Sequence, residues 1–492
     1  MSKIKTLRKL NYEAKQNAFP YQVDAFLTLK DLDYSAIFHE QGLGKTKIAI
    51  DLLLYWLQHR NIDTVLIVTK KQLVKNWVDE FKIHTHITPK VLSSDKASNF
   101  YVYNSPAKVV VTNFETLSTD KDRMELFLKT RDVAIIIDES TKLKNPDAKL
   151  TKDFFDLSKL FKIKTIMTGT PVANRPYDMW SQIFFLDEGK SLGTDFNDFK
   201  KKTNLSNKLS KDDFARGQFE EAVSEIYKKI ADFSVRETKA SCAIELPQKI
   251  YESVLIDFED GQLRLYQKIM HELQAEVEQK GNVVLDDDSV ALKRLLRLLQ
   301  VASNPKLIDE SYKGVSAKEQ KLGEMIDDIC SAGDKCIVWT NFIDNVNTFC
   351  DKYDKYGACK IHGGMTISDR NAAVDAFKNN DACRVLFATP QSAKEGLTLT
   401  VANHVIFYDR GFNLDDYLQA QDRIHRISQK KTCHIYNILI NSSVDEWIDA
   451  LIEAKRYAAL LAQGDIQIED YEEYADYGYG EMIQEILEAG EK

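Results

Sequence analysis

The stretch that decides the fold runs from Phe38 to Thr46 and reads Phe-His-Glu-Gln-Gly-Leu-Gly-Lys-Thr. A short apolar run at 36–38 leads into it, and a segment with helical spacing at 47–54 follows. Strand, glycine loop and helix together form a phosphate cradle, because glycines let backbone N–H groups approach phosphate oxygens. Lys45 would then reach the β- and γ-phosphates, and the Thr46 hydroxyl would ligate Mg²⁺. The alternative is a glycine-rich turn before an ordinary helix, since His39 replaces the first glycine of the consensus.

The bulk composition favours a packed intracellular protein of two or three domains. The chain has 492 residues, of which 44% are hydrophobic, and its length alone suggests more than one domain. No apolar run approaches the length of a membrane span, and the charged N-terminus lacks the apolar core of a signal peptide. All seven cysteines lie at or after Cys242 without a paired spacing, which is typical of a reducing compartment.

The net charge of −9 is concentrated at the end of the chain. Residues 464–492 contain ten acidic residues and one lysine, and the remainder is balanced. The acidic balance therefore does not exclude a nucleic-acid partner. Three interpretations of this acidic tail stay open. It could be a solvated segment that aids solubility, or a segment that competes with a nucleic acid for a basic cleft. The apolar pairs at 482–483 and 486–487 also permit a docked terminal helix.

Several apolar runs end in polar residues, as the strands of an open α/β sheet do where they bind ligands. The runs at 64–68, 108–112, 133–137 and 165–167 share this pattern. The third of them ends in Asp138 and Glu139, the pair expected to hold a metal ion and to activate water in a phosphate-loop ATPase. The alternative is a pair of carboxylates that cap a helix.

The second half of the chain repeats the α/β alternation after a different kind of segment. Residues from about 196 to 304 are basic and have helical spacing, which indicates a helical insertion. Strand-like runs return at 336–339, 385–388, 404–408 and 434–438. We therefore expect an N-terminal lobe at 1–195, a helical insertion and linker at 196–320, a C-terminal lobe at 321–463 and the acidic tail at 464–492.

Two further features have an equally ordinary alternative. Gln22 precedes the glycine loop by about twenty residues and could pair with an adenine edge, or simply lie on the surface at a helix start. Arg423 and Arg426 would share one face if they lie on a helix, where they could stabilise the charge of a transferring phosphate. The alternative for the arginines is a salt-bridged surface helix with Asp422.

Taken together, these motifs resemble those of the Swi/Snf-like ATPases of helicase superfamily two, in particular the small bacterial and phage members. Residues 39–46 are similar to the family's D-E-M-G-L-G-K-T, with His39 for Asp and Gln41 for Met. Residues 138–145 are similar to D-E-A-H-x-L/I-K-N, with Ser140 and Thr141 in place of Ala-His. The matches continue at 168–174, 392–399 and 419–429, in the family's order, and the resemblance covers residues 20–450.

The resemblance implies an α/β fold of two RecA-like parallel-sheet lobes with a helical insertion, and ATP bound between the lobes. It implies catalytic roles for Glu139 and for the arginine fingers Arg423 and Arg426, and Mg²⁺ on Thr46 and Asp138. The ATP-binding residues would be Gln22, Glu40, Gln41, Gly42, Leu43, Gly44, Lys45, Thr46, Asp138 and Gly396. Thr168, Gly169 and Thr170 would couple the sites. DNA would meet Lys70, Thr112, Asn113, Asn341, Gly363, Gly364 and Thr398.

The activity implied is ATP-dependent translocation on double-stranded DNA, with ATP and Mg²⁺ as cofactors and mainly backbone contacts to the duplex. We expect a monomer that is soluble, intracellular and not bound to a membrane. One alternative is a strand-separating or branch-migrating helicase on the same motor. Another is a nucleic-acid-binding ATPase switch with little motor activity, because the family's histidine, which helps couple nucleotide state to other motifs, is Thr141 here.

Overall fold

The computed structural model describes residues 11–172, 174–204, 212–242, 246–280, 288–394, 397–426 and 428–474. These residues form two compact units. The first unit lies within Met1–Leu205, Gly217–Ile244 and Ala458–Asp470, and the second within Ser206–Arg216, Glu245–Tyr457 and Tyr471–Lys492. The chain therefore returns to the first unit after it has built the second.

The first unit is organised around a parallel sheet. Its strands are β1 (Tyr34–Ile37), β2 (Thr64–Thr69), β3 (Lys90–Val91), β4 (Val109–Asn113), β5 (Val133–Asp138), β6 (Ile163–Met167) and β7 (Ser234–Val235). Among the described residues the order is β3-β4-β2-β5-β6-β1-β7, and every pairing is parallel. The central strands β2 and β5 are continuous apolar runs because helices cover both faces of such a sheet.

The helices of the first unit fall between and after these strands. They are α1 (Pro20–Leu29), α2 (Lys45–His59), α3 (Val74–His84), α4 (Lys96–Tyr103), α5 (Phe114–Thr119), α6 (Lys121–Lys129), α7 (Lys149–Ser158), α8 (Trp180–Asp187), α9 (Phe196–Lys202) and α10 (Asp213–Ile230). Apolar residues of α2, such as Ile48, Leu52 and Trp56, are completely buried with β2 and β5 in one core. Burial of this helix holds the preceding glycine loop against the sheet.

The strand order places three predicted motifs at one edge of the first sheet. Ile37 at the end of β1 is in register with Met167 at the end of β6, and Met167 is in register with Asp138 at the end of β5. The loops that follow these strands contain Lys45, Gly169 and Glu139. Because all three strands are parallel, their loops leave the same edge, where open α/β sheets bind ligands.

The second unit contains a second parallel sheet. Its strands are β8 (Lys249–Ile256), β9 (Cys336–Trp339), β10 (Cys359–Ile361), β11 (Val385–Ala388), β12 (His404–Phe407) and β13 (Cys433–Ile440). Their order is β10-β11-β9-β12-β13-β8, again parallel throughout the described chain. The later helices are α11 (Asp260–Lys280), α12 (Asp288–Ser303), α13 (Ala317–Ser331), α14 (Ile343–Lys352), α15 (Ile367–Asn379), α16 (Leu414–Gln421), α17 (Val444–Ala462) and α18 (Ile468–Tyr474). The expected α/β class with two parallel-sheet lobes is confirmed.

The segment at 196–320 contains the expected helices and also two strands. β7 pairs with β1, and β8 pairs with β13 over eight residues. β8 is an edge strand whose side chains are mostly exposed or half-buried, so it lacks the continuous apolar run that marks a central strand. No helix in the described part of the chain combines the length and the apolar composition needed to cross a membrane.

Candidate functional site

The glycine loop, residues 39–46, has the backbone that its two glycines permit. Gly42 has a φ of 89° and Gly44 has a φ of 68°, both in the left-handed region. Gly44 is also the N-cap of α2. A side chain at position 44 would collide with Nε2 of Gln22. Glycine is therefore required at position 44 for conformation and for space, and the positive end of α2 faces the loop.

Lys45 lies against the loop that precedes it. Its Nζ donates to the carbonyl of His39 at 2.9 Å and to the carbonyl of Glu40 at 3.3 Å. On its other side is Gly169, where a Cβ atom would lie 3.2 Å from Lys45 Nζ and 2.5 Å from Cγ of Gln41. The predicted coupling segment at 168–170 therefore packs directly on the glycine loop. The same segment is tied to the end of β1, because the backbone N–H of Thr168 donates to the carbonyl of Ile37 at 3.2 Å. All three residues of the segment belong to the first unit.

Gln22 anchors α1 to the glycine loop. Its Nε2 donates to the carbonyl of Leu43 at 3.1 Å, and its Oε1 accepts from the backbone N–H of Phe19 at 3.0 Å. The Tyr21 hydroxyl donates to the same Leu43 carbonyl at 3.1 Å. Gln22 is buried, so the alternative of a surface glutamine is wrong. Both ends of its amide are engaged within the protein, and its contact with adenine stays a prediction.

Glu40 is held by the chain that follows β7. Its carboxylate accepts from the backbone N–H of Lys239 at 2.8 Å and forms an ion pair with Lys239 Nζ at 3.0 Å. Nearby, Arg236 donates to the carbonyl of Phe38 at 2.8 Å and to Asp465 Oδ1 at 2.6 Å. Sequence reasoning assigned no role to Arg236 or Lys239, because charged residues outside a motif give no local signal. The structure shows that both brace the glycine loop.

Asp138 is half-buried at the same edge of the sheet. Its Oδ2 accepts from Trp77 Nε1 at 2.9 Å and from Thr69 Oγ1 at 3.1 Å. Burial, together with the neighbouring charge of Glu139, raises the pKa of Asp138 to about 6, while the charge of Lys45 acts against this rise. A divalent cation would relieve the cost of ionising such a carboxylate. The carboxylate of Asp138 therefore fits the predicted Mg²⁺, and the role of the Thr46 hydroxyl beside it stays a prediction.

Glu139 follows in an unusual conformation. Its φ of 59° and ψ of 51° put a non-glycine residue in the left-handed region, which costs about 1–3 kcal/mol and is found at functional sites. Its Oε2 accepts from Lys70 Nζ at 3.4 Å. The structure thus brings together Lys45, Asp138, Glu139 and Gly169 at the edge where Lys70 also lies.

The substituted residues Ser140 and Thr141 are both buried. The Ser140 hydroxyl donates to Oε1 of Gln182 at 2.7 Å. Gln182 in turn donates through Nε2 to the carbonyl of Pro171 at 2.8 Å and to that of Asp178 at 2.9 Å. Ser140 is therefore linked to the segment after β6 through Gln182, a residue that sequence reasoning missed because it lies on a helix 42 positions later.

The other predicted DNA contacts of the first unit are covered. Thr112 is completely buried, and Asn113 is 7% exposed. Asn113 Oδ1 accepts from the backbone N–H of Thr116 at 2.9 Å and so caps α5. Their role in DNA binding stays a prediction, while Asn113 has a clear structural role as an N-cap.

In the second unit, Asn341 follows β9 and is fixed by a buried acid. Its Nδ2 and its backbone N–H donate to Asp409 Oδ1 at 2.8 and 2.7 Å. Asp409 Oδ2 also accepts from Ser303 at 2.8 Å and from Thr340 at 2.5 Å. Sequence reasoning missed Asp409, although a polar residue at the end of an apolar strand was the available signal. The predicted contacts Gly363 and Gly364 are exposed in the turn after β10, and Gly396 lies outside the described residues.

The expectation that Arg423 and Arg426 share a helix is wrong. α16 ends at Gln421, and both arginines lie in the turn beyond it. The carbonyl of Arg423 accepts from the backbone N–H of Leu399 at 2.9 Å, so a tertiary contact replaces the next helical hydrogen bond. Both guanidinium groups nevertheless meet the same segment, Arg423 at the carbonyl of Leu397 (3.3 Å) and Arg426 at the Thr398 hydroxyl (2.7 Å).

Comparison with known proteins gives two family matches. Residues 30–307 match the SNF2-related domain, and residues 317–428 match the helicase conserved C-terminal domain. An uncharacterised ATP-dependent helicase of Mycoplasma pneumoniae is 28% identical over 418 residues, which cover 83% of this chain and 38% of that protein. Bacillus subtilis YwqA, provisionally named an ATP-dependent helicase/translocase, is 26% identical over 473 residues, which cover 91% of this chain and 49% of that protein. The chain thus spans less than half the length of these two relatives.

Among solved structures, the chain is similar to the SWI2/SNF2 ATPase core of Sulfolobus solfataricus in complex with double-stranded DNA. The identity is 23%, the match covers 96% of this chain and 99% of that chain, and the TM-score is 0.43.

Proposed function

The chain belongs to the SNF2-related family, whose description matches residues 30–307, and from that premise we propose that it hydrolyses ATP to move along double-stranded DNA. The observation that carries the ATPase is the convergence of three loops in the first unit. Gly169 packs on Lys45, and the charge of Lys45 acts on Asp138. A lysine on a glycine loop beside a half-buried acid is the arrangement that phosphoryl transfer requires.

The hydrolytic step is assigned to residues of this chain as follows. Lys45 binds and orients the terminal phosphates, helped by the backbone N–H groups at the start of α2. Glu139 orients the attacking water and accepts its proton. Thr46 and Asp138 would hold Mg²⁺, which would neutralise phosphate charge when bound. Arg423 and Arg426 supply positive charge that stabilises the transition state.

The proposed DNA contacts are mainly to the sugar–phosphate backbone. Lys70 supplies a cation, while Asn341, Gly363 and Gly364 lie in loops at strand ends of the second unit. The rigid hold of Asp409 on Asn341 would fix the register of one such contact. Backbone contacts predict little sequence preference and a strong dependence on salt.

The test is a pair of assays on the full chain. ATP turnover is measured with and without a blunt DNA duplex, with Lys45→Ala as the inactive control. Translocation is then measured as displacement of the third strand of a triplex, and compared with unwinding of a forked duplex. We expect turnover that duplex DNA stimulates, and triplex displacement without fork unwinding. Absence of DNA-stimulated turnover in the wild-type protein would refute the proposal.

The alternatives predict different results in the same assays. A strand-separating or branch-migrating helicase would unwind the fork. A switch with little motor activity would hydrolyse ATP slowly and leave the triplex intact. The switch was suggested by the loss of the family's histidine at Thr141, and the hydrogen-bonded link from Ser140 through Gln182 to Pro171 makes it the less favoured alternative.

A further inference from the structure

The ends of β2 and β5 bring a cation and the proposed general base together. These two strands are parallel neighbours, with Val68 in register with Ile137. One residue further, the Thr69 hydroxyl donates to Asp138 at 3.1 Å. At the next position, Nζ of Lys70 lies 3.4 Å from Oε2 of Glu139. The ion pair therefore follows directly from the register of two central strands.

The ion pair between Lys70 and Glu139 is only partly exposed to solvent. The side chains of Lys70 and Glu139 are each 18% exposed, so the attraction is weakly screened while another ion can still approach. Oε2 of Glu139 accepts a hydrogen bond from Lys70, so this oxygen is not available to accept one from the attacking water. A lysine side chain is long and flexible, so Lys70 can change partners without any movement of the strands.

Glu139 is the residue whose release would matter. Asp138 is fixed by Trp77 and Thr69, and the left-handed backbone of Glu139 sets the direction in which its side chain leaves the strand. Its carboxylate is thus presented at the edge of the sheet, where its hydrogen-bond partner decides its availability. Lys70 Nζ is one such partner in the structure, 3.4 Å from Oε2.

We propose that Lys70 couples DNA binding to hydrolysis by exchanging its partner. Without DNA, the ammonium group holds the carboxylate of Glu139. A phosphate of the DNA backbone competes for the same ammonium group, and Glu139 is released to orient water. This inference rests on the proposed function and adds to it the residue through which duplex DNA stimulates turnover.

A partner exchange is reciprocal. If DNA draws Lys70 away from Glu139, then loss of the Glu139 charge must free Lys70 for DNA, because two ligands of one group are linked thermodynamically. The two sides can therefore be tested separately, one by ATP turnover and the other by DNA binding without nucleotide.

The first experiment measures turnover of Lys70→Ala with and without a 30-base-pair duplex. The basal rate should rise about fivefold, the effect expected for removal of a partly exposed ion pair, and stimulation by DNA should shrink by a similar factor. Lys71→Ala is the matched control, since Lys71 is the exposed neighbour at the start of the following turn. Damage to the fold does not raise activity, so a higher basal rate of Lys70→Ala cannot come from such damage. A basal rate at or below that of the wild-type protein would overturn the inference.

The second experiment measures the affinity for the same duplex at low salt without nucleotide. Glu139→Gln should bind about fivefold more tightly than the wild-type protein. Asp138→Asn removes a carboxylate at the adjacent position and should bind less tightly than Glu139→Gln. Equal affinities for Glu139→Gln and the wild-type protein would contradict the inference even if Glu139 is the general base.

Different results would refute the proposed function and the coupling through Lys70. A wild-type protein without DNA-stimulated turnover refutes the proposed function. A stimulated wild-type protein, with an unchanged basal rate in Lys70→Ala and an unchanged affinity in Glu139→Gln, refutes only the coupling by Lys70.

Discussion

Ser140 donates a hydrogen bond to Gln182 at 2.7 Å, and both side chains are completely buried. Gln182 in turn donates a hydrogen bond through Nε2 to the carbonyl of Pro171. The residue that follows Asp138 and Glu139 is thereby joined to the loop after β6, which also packs on Lys45 through Gly169. A hydrogen-bonded glutamine here connects two motifs that lie some thirty residues apart in the chain.

We predict that Gln182→Leu slows ATP turnover while the first unit stays folded. The substitution leaves the Ser140 hydroxyl and two carbonyls without this partner, which should lower the free energy of unfolding by about 1–3 kcal/mol. Turnover at saturating ATP and duplex DNA, measured beside a urea titration, checks both effects. Ser158→Ala is the control, because its buried hydroxyl donates to the carbonyl of Phe185 and not to Ser140, Gln182 or Pro171. Equal turnover of Gln182→Leu and wild-type protein would show that the link is structural only.

Lys45→Ala should abolish hydrolysis and leave the fold intact. The substitution removes the charge that would meet the β- and γ-phosphates, and Lys45 is only partly buried, so no core contact is lost. Turnover and thermal unfolding are measured for Lys45→Ala and for Lys75→Ala, an exposed lysine on α3. Near-normal DNA-stimulated turnover in Lys45→Ala would remove the glycine loop from the catalytic site.

Arg426→Ala should leave nucleotide binding within a few-fold and slow hydrolysis, by up to about 10³–10⁵ if this residue is an arginine finger. Arg423→Ala should act in the same direction, with an added loss of stability because Arg423 is 3% exposed. The double variant should be no worse than the sum of the single effects in free energy, since both groups act on one charge. Full activity of both single variants would refute this role.

Thr398→Val distinguishes a role of Thr398 in orienting Arg426 from a role in binding DNA. The substitution keeps the size of the side chain but removes the 2.7 Å contact that orients Arg426. We expect turnover at saturating DNA to fall about tenfold, the effect of losing a hydrogen bond to a charged group. If Thr398 instead acts through DNA, the affinity for duplex falls and turnover at saturation is unchanged.

His39 should make the first unit less stable in weak acid. Burial, together with the charge of Lys45, lowers the pKa of His39 to about 4, whereas the unfolded chain takes up this proton near pH 6.5. Between these values the unfolded state binds more protons, so the stability falls as the pH drops from about 6.5 to about 4. From pH 7 to pH 5 the loss should be about 2 kcal/mol.

Urea titrations of His39→Phe and of His86→Phe, an exposed histidine, check this prediction. The pH dependence should flatten by the stated amount in His39→Phe and persist in His86→Phe. Parallel pH profiles for His39→Phe and the wild-type protein would show that His39 is protonated equally in both states.

Much of the candidate site could be predicted from the sequence because the features that phosphate binding requires are local. The glycine loop needs Gly44 at a left-handed position, directly before the helix that begins with Lys45, and this requirement is written in consecutive residues. Asp138 ends a buried apolar strand and Glu139 follows it. The alternation of such strands with helical segments predicted two similar lobes, and the family resemblance implied that each is built on a parallel sheet. These features depend on neighbours in the chain, so a linear pattern is enough to predict them.

Only the tertiary structure decided which distant residues complete the site. Trp77 and Gln182 reach their partners from helices, Arg236 and Lys239 from the chain after β7, and none belongs to a pattern that neighbours reveal. For the same reason the helical prediction for Arg423 and Arg426 is wrong. The carbonyl of Arg423 accepts a hydrogen bond from the backbone N–H of Leu399, which lies outside the helix. Local sequence determines which groups are available for phosphate chemistry, whereas hydrogen bonds between residues far apart in the chain determine how those groups are held.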